Sequence, residues 1–264
     1  MKKYFFIPIL LFFTSCHEGE ISTPSDSNAN ISYPTILRPL AKPFFDSVQK
    51  TFQQKLGTSY IAKLDSFGFV GHLDGITRGK SNVSDKMIGI AKAKAAILYL
   101  KEYTNVYDSS VEVKYAKKTI SPGITDWEVL FKNQVYAGLE VWDSAILTIV
   151  ADDFVLIDGH YYNNIFIPHQ NIISREQVKA NLLGQKYEFY CWGPLDTLII
   201  TDSLIRIETM EQCIYPLIKK NTVELRVVWK VPIYTYSGSS SPMWYYFVDI
   251  LTGEIVAIRQ LFIC

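Results

Sequence analysis

Residues 173–178 read Ile-Ser-Arg-Glu-Gln-Val, and they mark the point at which the plan of the chain repeats. Ser174 followed by Gln177 is the pattern of a capping box, in which each side chain hydrogen-bonds to the backbone of the other residue. Ile173 and Val178 flank this pair at the spacing of a hydrophobic staple. The stretch therefore predicts the beginning of a helix.

Segments rich in Val, Ile, Tyr and Phe follow this helix and predict β-strands. They span Lys186–Trp192, Asp196–Ile207, Glu224–Tyr236, Trp244–Ile250 and Glu254–Phe262. An earlier helix, predicted from about Asp85 to Tyr103 with Ser84 as its N-cap, is also followed by strands. These span Val111–Lys117, Asp126–Tyr136, Val141–Ala151 and Phe154–Ile167.

The order helix, strands, helix, strands indicates an α+β fold built from two tandem units. Each unit is expected to pack its helix on an antiparallel β-sheet. The first unit is predicted to span residues 44–168 and the second residues 169–264. With 48% hydrophobic residues, the chain has enough apolar side chains for a substantial core.

The first fifteen residues are organised like a signal peptide. Lys2 and Lys3 precede an apolar run that ends at Phe13. This run is shorter than the roughly 20 apolar residues that a bilayer-spanning helix needs. The sequence Phe-Thr-Ser-Cys that ends at Cys16 resembles a bacterial lipobox, which implies removal of residues 1–15 and lipidation of Cys16. The alternative is an ordinary cleaved signal with a structural Cys16.

Lipidation at Cys16 implies a protein of the bacterial cell envelope, held by its acyl chains, most simply at the outer membrane. Residues 16–43 comprise this cysteine and a segment rich in Ser, Asn and Pro that predicts a flexible tether. Removing residues 1–15 takes away two lysines and leaves 24 basic and 26 acidic residues. This slight negative charge, without a basic run, argues against nucleic acid as a partner.

The sequence contains none of the motifs that would indicate a catalytic site. The four histidines do not form an H-E-x-x-H pair, so a zinc peptidase is excluded and no metal is expected. G-x-S-x-G and the glycine-rich phosphate loops are also absent, so neither a serine hydrolase nor a nucleotide cofactor is indicated. The aromatic clusters around Tyr161 and Trp244 fit either core packing or anchors on a partner surface.

Three cysteines remain in the exported chain, so at most one intramolecular disulfide forms. If the C-terminal strands form a simple meander, Cys191 and Cys264 fall at one end and Cys213 in a connection at the other. A strand of about ten residues spans over 30 Å, whereas the Cα atoms of a disulfide lie within about 7 Å. Cys191–Cys264 is therefore the predicted pair, although the pattern does not say which strands are neighbours.

Residues 134–144 read Gln-Val-Tyr-Ala-Gly-Leu-Glu-Val-Trp-Asp-Ser. This segment resembles the hallmark of the fungalysin/thermolysin propeptide (FTP) domain, Q-x-Y-x-G-[hydrophobic]-x-V. Gly138 is expected to make a tight turn, with Gln134, Tyr136 and Val141 on the flanking strands.

The second unit resembles a PepSY domain, which follows the FTP domain in precursors of secreted metallopeptidases. The matching pieces are the helix opening at Ser174, the strand around Trp229, and a strand–turn–strand segment that contains Asp249 and Gly253. Together the two resemblances cover about residues 60–262. They imply a propeptide-like protein without a peptidase domain of its own.

Three kinds of function follow from these observations. The protein could bind a secreted metallopeptidase in trans and inhibit it or assist its folding. It could instead be an envelope binding or scaffold lipoprotein without a link to peptidases, because a fold does not fix a function. The third is an enzyme with an unrecognised site. A non-catalytic role is the expectation, since no catalytic motif is present.

Overall fold

The structure, a computed structural model, describes residues 33–37, 50, 60–64, 70–75, 85–121, 124–151, 155–169, 172–190, 195–219, 222–234 and 242–261. Within these residues the chain has an α+β fold of short helices and antiparallel sheets, as the sequence predicts. The predicted signal peptide and the predicted lipidation site Cys16 lie outside the described residues. No helix in the described part is long and apolar enough to cross a membrane.

Fifteen strands and three α-helices are described. The strands are β1 (Thr35–Leu37), β2 (Tyr60–Leu64), β3 (Val70–Gly75), β4 (Val113–Ser121), β5 (Ile124–Phe131), β6 (Val135–Tyr136), β7 (Leu139–Glu140), β8 (Leu147–Val150), β9 (Val155–Asp158), β10 (Lys186–Tyr190), β11 (Leu195–Ile199), β12 (Glu211–Lys219), β13 (Thr222–Ile233), β14 (Trp244–Asp249) and β15 (Ile255–Gln260). The helices are α1 (Lys86–Tyr99), α2 (Lys101–Thr104) and α3 (Arg175–Leu182). Two 3-10 turns span Asp202–Leu204 and Ile207–Thr209.

The first sheet has six antiparallel strands in the order β2-β3-β9-β8-β5-β4, and α1 packs on it. The contact is close because the helix presents small residues to the sheet. Ala93 is fully buried, and a Cβ on Gly89 would lie 2.6 Å from the Trp127 ring of β5. Ile97 and Phe131 complete the core between helix and sheet.

The second sheet is built around β13. Strand β12 pairs along one side of it, and β14 pairs along the other side as far as Val228. Strand β1 continues on the β14 side, opposite Thr222–Glu224, and β15 lies beyond β14. Helix α3 covers one face through Val178 and Leu182, which lie in the same core cluster as Trp244 and Tyr246. Strands β10 and β11 form a separate two-stranded hairpin.

The starts of α1 and α3 obey local capping rules. The capping box of Ser174 and Gln177 is present at α3, as predicted. At α1 the N-cap is Asp85 rather than Ser84, because the Asp85 carboxylate accepts hydrogen bonds from the backbone N–H groups of Met87 and Ile88. An aspartate satisfies these free donors as well as a serine does.

The simple meander supposed for the second unit is present for β13, β14 and β15, which pair in chain order, but the segments before them differ from the prediction. The strand predicted to run to Ile207 ends at Ile199, and 3-10 turns follow it. Residues 211–219, expected as a connection, form the nine-residue strand β12. Proline discourages a strand assignment, and Pro216 lies within β12. It is tolerated because β12 pairs with a full strand on one side only, so a missing N–H can face outward.

The segment predicted as tether contributes to the fold. Residues 33–37 fall within it, yet Thr35–Leu37 form β1 and the Tyr33 side chain is buried. Residues 33–37 are therefore part of the second sheet rather than of a flexible tether. The remaining domain boundaries stay predictions.

Candidate functional site

Residues 134–144, whose sequence resembles the FTP hallmark, form a short hairpin that we call the motif hairpin. Strands β6 and β7 pair through Tyr136 and Leu139, leaving Ala137 and Gly138 as a two-residue turn. Both have positive φ, 49° and 82°, as a type I′ turn requires. The turn predicted at Gly138 is present, and glycine suits it because positive φ is costly for residues with a Cβ.

Gln134 fixes the base of the motif hairpin to the loop that follows β9. Its amide Nε2 donates to the Tyr162 carbonyl at 2.7 Å, and its Oε1 accepts from the Tyr162 N–H at 2.7 Å. The side chain therefore pairs with the Tyr162 backbone as a neighbouring strand would. A side-chain amide can do this because it carries both a donor and an acceptor.

Ser144 closes the hairpin on itself. Its buried hydroxyl accepts a hydrogen bond from the Gln134 N–H and donates one to the Val141 carbonyl, both at 2.8 Å. The Val141 N–H in turn donates to the Gln134 carbonyl. The position of Val141 is thus set by a closed ring of hydrogen bonds among three residues.

Val141 and Trp142 join the motif hairpin to the second sheet. Val141 is fully buried in the core of that sheet and forms a parallel bridge with Ile214 of β12. The Trp142 N–H donates to the Ile214 carbonyl at 2.8 Å. The end of this segment at Val141 and Trp142 is therefore an inter-sheet contact rather than a reactive centre.

The Trp142 ring extends this contact across the outer face of the second sheet. It meets the rings of Tyr245 and Phe247 edge-on, with centroids 5.5 and 5.0 Å away. The Lys230 ammonium lies 5.4 Å from the Trp142 ring centre and 5.1 Å from that of Tyr245, and it is paired with Glu211. Aromatic and cation–π contacts of this kind strengthen the junction beyond simple burial.

The tip of the motif hairpin points to solvent. Val135 is 65% exposed and Tyr136 is 43% exposed, although both are strand residues with apolar surface. Below them, Asn133 donates to the Glu140 carboxylate at 2.8 Å. The hairpin therefore presents two uncovered side chains on a support that is fixed on both sides.

His160 is buried next to the residue that Gln134 holds. Its ring lies 4.7 Å from the Tyr162 ring, and burial lowers the pKa of His160 to about 4. The loop carrying it is also pinned by a hydrogen bond from the Tyr161 N–H to the Thr104 carbonyl. A neutral histidine is part of the packing here.

The PepSY-like strand–turn–strand segment is organised by Asp249. Its carboxylate Oδ1 accepts from the N–H groups of Leu251 and Thr252 at 2.8 and 2.9 Å. Gly253 ends the turn with φ 73°, and a Cβ there would lie 2.7 Å from the Asn181 amide nitrogen of α3. The two predicted residues are thus used to shape the turn and to bring it against the helix.

Asp249 also belongs to a group of charged residues that contact one another. We call this group, Lys219, Glu224, Arg226, Asp249 and Glu254, the charge cluster. The Arg226 guanidinium lies 2.9 Å from Glu224, 3.4 Å from the fully buried Asp249 and 3.2 Å from Glu254. Burial alone would lower the pKa of Arg226, but the hydrogen bond to Glu224 and the charges of Asp249 and Glu254 raise it. Each buried charge therefore has a partner, as stability demands.

Trp229 connects β13 with the start of α3. Its indole N–H donates to the Ile173 carbonyl at 3.0 Å, and the Arg175 guanidinium lies 5.2 Å from its ring. Trp229 is predominantly buried, so this predicted motif residue also has a packing role.

The remaining candidates do not converge on a site. Cys213 is a buried free thiol in β12, and burial raises its pKa to about 12. Cys191 and Cys264 lie outside the described residues, so their pairing stays a prediction. Among the residues that the structure describes, no group of three or more potential metal ligands is present. Trp244, one of the two suggested partner anchors, is wrong for that role because it is almost completely buried.

Two important residues could not be singled out from the sequence. Ser144 carries no pattern that distinguishes it from a surface serine, and its role depends on folding of the hairpin around it. Arg226 alternates with Glu224 along β13, which indicates a shared face, but its contact with Asp249 spans 23 residues.

No family model matches this chain, and no curated protein matches it in sequence. Among solved structures it is similar to the Bacillus megaterium YpeB C-terminal domain, with 13% sequence identity and a TM-score of 0.32. That match covers 85% of this chain and 99% of the other.

Proposed function

We propose that this protein is a non-catalytic, lipid-anchored component of the bacterial envelope that binds a secreted metallopeptidase in trans. The observation that carries the proposal is the motif hairpin, which is fixed to both sheets and exposes Val135 and Tyr136 at its tip. Binding would inhibit the peptidase or assist its folding, as the resemblance to propeptide domains implies.

The chemistry of the motif residues supports a role without catalysis. The side-chain amide of Gln134 donates one hydrogen bond to the Tyr162 backbone and accepts another from it. Asp249 is fully buried, accepts two backbone hydrogen bonds and faces Arg226. A catalytic acid or base must reach the proton that it transfers, and these groups are occupied within the fold.

The hairpin tip is suited to binding because its conformation is set before a partner arrives. Ordering flexible segments on association costs free energy, and a surface that is already fixed avoids much of this cost. Tyrosine is enriched among the residues that dominate interface energetics. A complex of standard size would bury roughly 1,200–2,000 Å² in total, so the tip would be its centre rather than its whole extent.

A direct test uses the protein from residue 17 onward, which retains Tyr33–Leu37 and lacks Cys16. It is added to a panel of thermolysin-like peptidases, including those of the source organism. We expect inhibition or binding at micromolar concentration or below. Tyr136→Ala should weaken it about tenfold, whereas Tyr107→Ala, the same change at a tyrosine that is 66% exposed elsewhere, should not.

The outcome also separates this proposal from a general scaffold role. If no peptidase is bound or inhibited, and the protein instead co-purifies with other envelope proteins, the scaffold function is correct. Equal loss of binding in Tyr136→Ala and Tyr107→Ala would show that the hairpin tip is not the binding surface. The peptidase would still be the partner.

The membrane anchor is tested separately. Cys16→Ala in the full-length precursor should release the protein from the membrane fraction and abolish incorporation of labelled fatty acid, because the acyl chains provide the attachment. A Cys16→Ala protein that stays membrane-bound and labelled would show that Cys16 is not the lipidated residue.

A further inference from the structure

Strand β1 fills a position in the second sheet that another chain segment could occupy. Strand β14 pairs with β13 only as far as the Val228–Asp249 pair. Beyond that point the same side of β13 is taken by β1, through the pairs Thr35–Glu224, Ile36–Val223 and Leu37–Thr222. We call this position beside Thr222–Glu224 the β1 slot; at its end the Val227 carbonyl accepts a hydrogen bond from the Ile250 N–H at 3.2 Å.

The residues around the β1 slot favour a tyrosine at its entrance. Tyr33, just before β1, is 7% exposed, and its hydroxyl lies 3.5 Å from the Val227 carbonyl. The Arg226 guanidinium lies 5.7 Å from its ring centre. Burial and the nearby Asp249 carboxylate raise the pKa of the Tyr33 phenol, which keeps it a hydrogen-bond donor. The slot thus accepts an extended segment that is led by a tyrosine.

Strand β1 is held by few interactions. Three residue pairs join it to β13, whereas six join β14 to β13. In the part of the chain that the structure describes, its outer edge has no strand partner, and Pro34 and Thr35 are exposed. Each ordered residue also loses backbone entropy, which opposes pairing of a short strand. Such a strand is open to competition from a segment with similar chemistry.

We infer that the β1 slot is a strand-exchange site, in which an extended segment of a partner protein replaces residues 33–37. The segment would carry a tyrosine followed, after one residue, by β-strand formers, because that is the chemistry the slot already holds. Main-chain pairing would provide affinity and the tyrosine pocket would provide specificity, as in other cases of strand addition. Exchange would also detach the anchor-side segment from the sheet.

The test uses a fluorescent peptide with the sequence of residues 31–38 as the probe. It is titrated into the protein from residue 17 onward and into the double variant Tyr33→Ala/Ile36→Pro, which weakens the resident strand. Proline removes a backbone donor, and alanine empties the tyrosine pocket. We expect the peptide to bind the double variant at least tenfold more tightly than the wild-type protein.

Two controls define specificity. A peptide with alanine in place of its tyrosine should bind neither protein, and the Tyr107→Ala protein should bind the probe as weakly as the wild type does. A double variant that unfolds cooperatively but does not bind the probe overturns the inference. Concentration-dependent dimerisation of the wild-type protein through this slot would also overturn it, because the occupant would then be a second copy.

Hydrogen exchange on the wild-type protein provides a readout that needs no variant. The Val223 amide, which faces β1, should exchange through local opening, well before the β13 amides that face β14. If it exchanges only on global unfolding, the resident strand does not leave and strand exchange is excluded.

Discussion

The motif hairpin and the charge cluster each fix a segment of the chain to the rest of the fold, but they use different interactions. In the motif hairpin, a neutral amide and a hydroxyl fix the chain, through Gln134 and Ser144, and apolar residues carry the contact to the second sheet. In the charge cluster, Arg226 and three carboxylates hold the turn after β14 and the segment at Tyr33.

This difference predicts how each region responds to its surroundings. Neutral hydrogen bonds do not depend on salt, and they depend on pH only through a titrating neighbour, which here is His160. Ion pairs respond to both, and a buried charge becomes costly when its partner is removed. The two regions can therefore be separated by single substitutions and by pH.

The largest effect is expected at the buried end of the charge cluster. Asp249→Asn keeps the shape of the side chain but removes the fully buried carboxylate beside Arg226, which then keeps only Glu224 and Glu254 as charged partners. We expect a loss of about 3–5 kcal/mol in the free energy of unfolding, measured by urea denaturation. Glu254→Gln is the matched control, because this second partner of Arg226 is partly exposed and should cost about 1 kcal/mol or less. Equal losses in both variants would contradict the assignment.

The next effect concerns acid and His160. Its pKa of about 4 in the folded protein lies below the ordinary value of 6.5, so the folded state favours the neutral ring. The unfolded chain then binds more protons between these values, and stability falls as pH decreases from about 6.5 to 4. The loss should reach about 3 kcal/mol near pH 4. His160→Phe should flatten this part of the stability–pH curve; a variant curve parallel to the wild type would exclude the buried histidine as its cause.

The carboxylates of the charge cluster should affect the free energy of unfolding at lower pH than His160 does. Burial would raise the pKa of Glu224, but hydrogen bonds from Lys219 and Arg226 outweigh it and lower the pKa. Stability from this group is therefore present above its ordinary value of 4.5 and is lost as pH falls through the folded pKa. In Glu224→Gln, the acid loss below pH 4.5 should shrink while the loss between pH 6.5 and 4.5 remains.

A smaller loss is expected in the motif hairpin. Gln134→Ala removes both hydrogen bonds to the Tyr162 backbone, and we expect a cost of about 2 kcal/mol, the same at low and high salt. Asn133→Ala, which removes an exposed bond to Glu140, should cost less than about 0.5 kcal/mol. Salt dependence of the Gln134→Ala loss would show that charges contribute to this contact.

The sequence predicts those features of the fold that depend on neighbouring residues. The capping box at Ser174 and the turn at Gly138 are set within a few residues, and both are present. The fold class also follows from local patterns of helix and strand. Strand β12 was missed because Pro216 argues against a strand when its position at the sheet edge is unknown.

The candidate site could be predicted only in part, because its contacts join distant residues. Gln134 was identified through a family pattern, but its partner Tyr162 lies 28 residues away. Tyr33 contacts Val227 across 194 residues, so its segment reads as a tether in the sequence. The composition of such a segment predicts that it is flexible when isolated. Its pairing with β13 depends on tertiary contacts, which local propensity does not describe.

The central claim is that the motif hairpin joins the two sheets, and it is tested most directly by asking whether the sheets unfold together. Pulsed hydrogen exchange along a urea gradient, read by mass spectrometry, follows peptides from β5 and from β14 separately. We predict one shared transition for the wild-type protein and two separate transitions for Val141→Ala/Trp142→Ala, because this variant removes the side chains that reach the second sheet. Coincident transitions at the wild-type midpoint in the variant would contradict the claim.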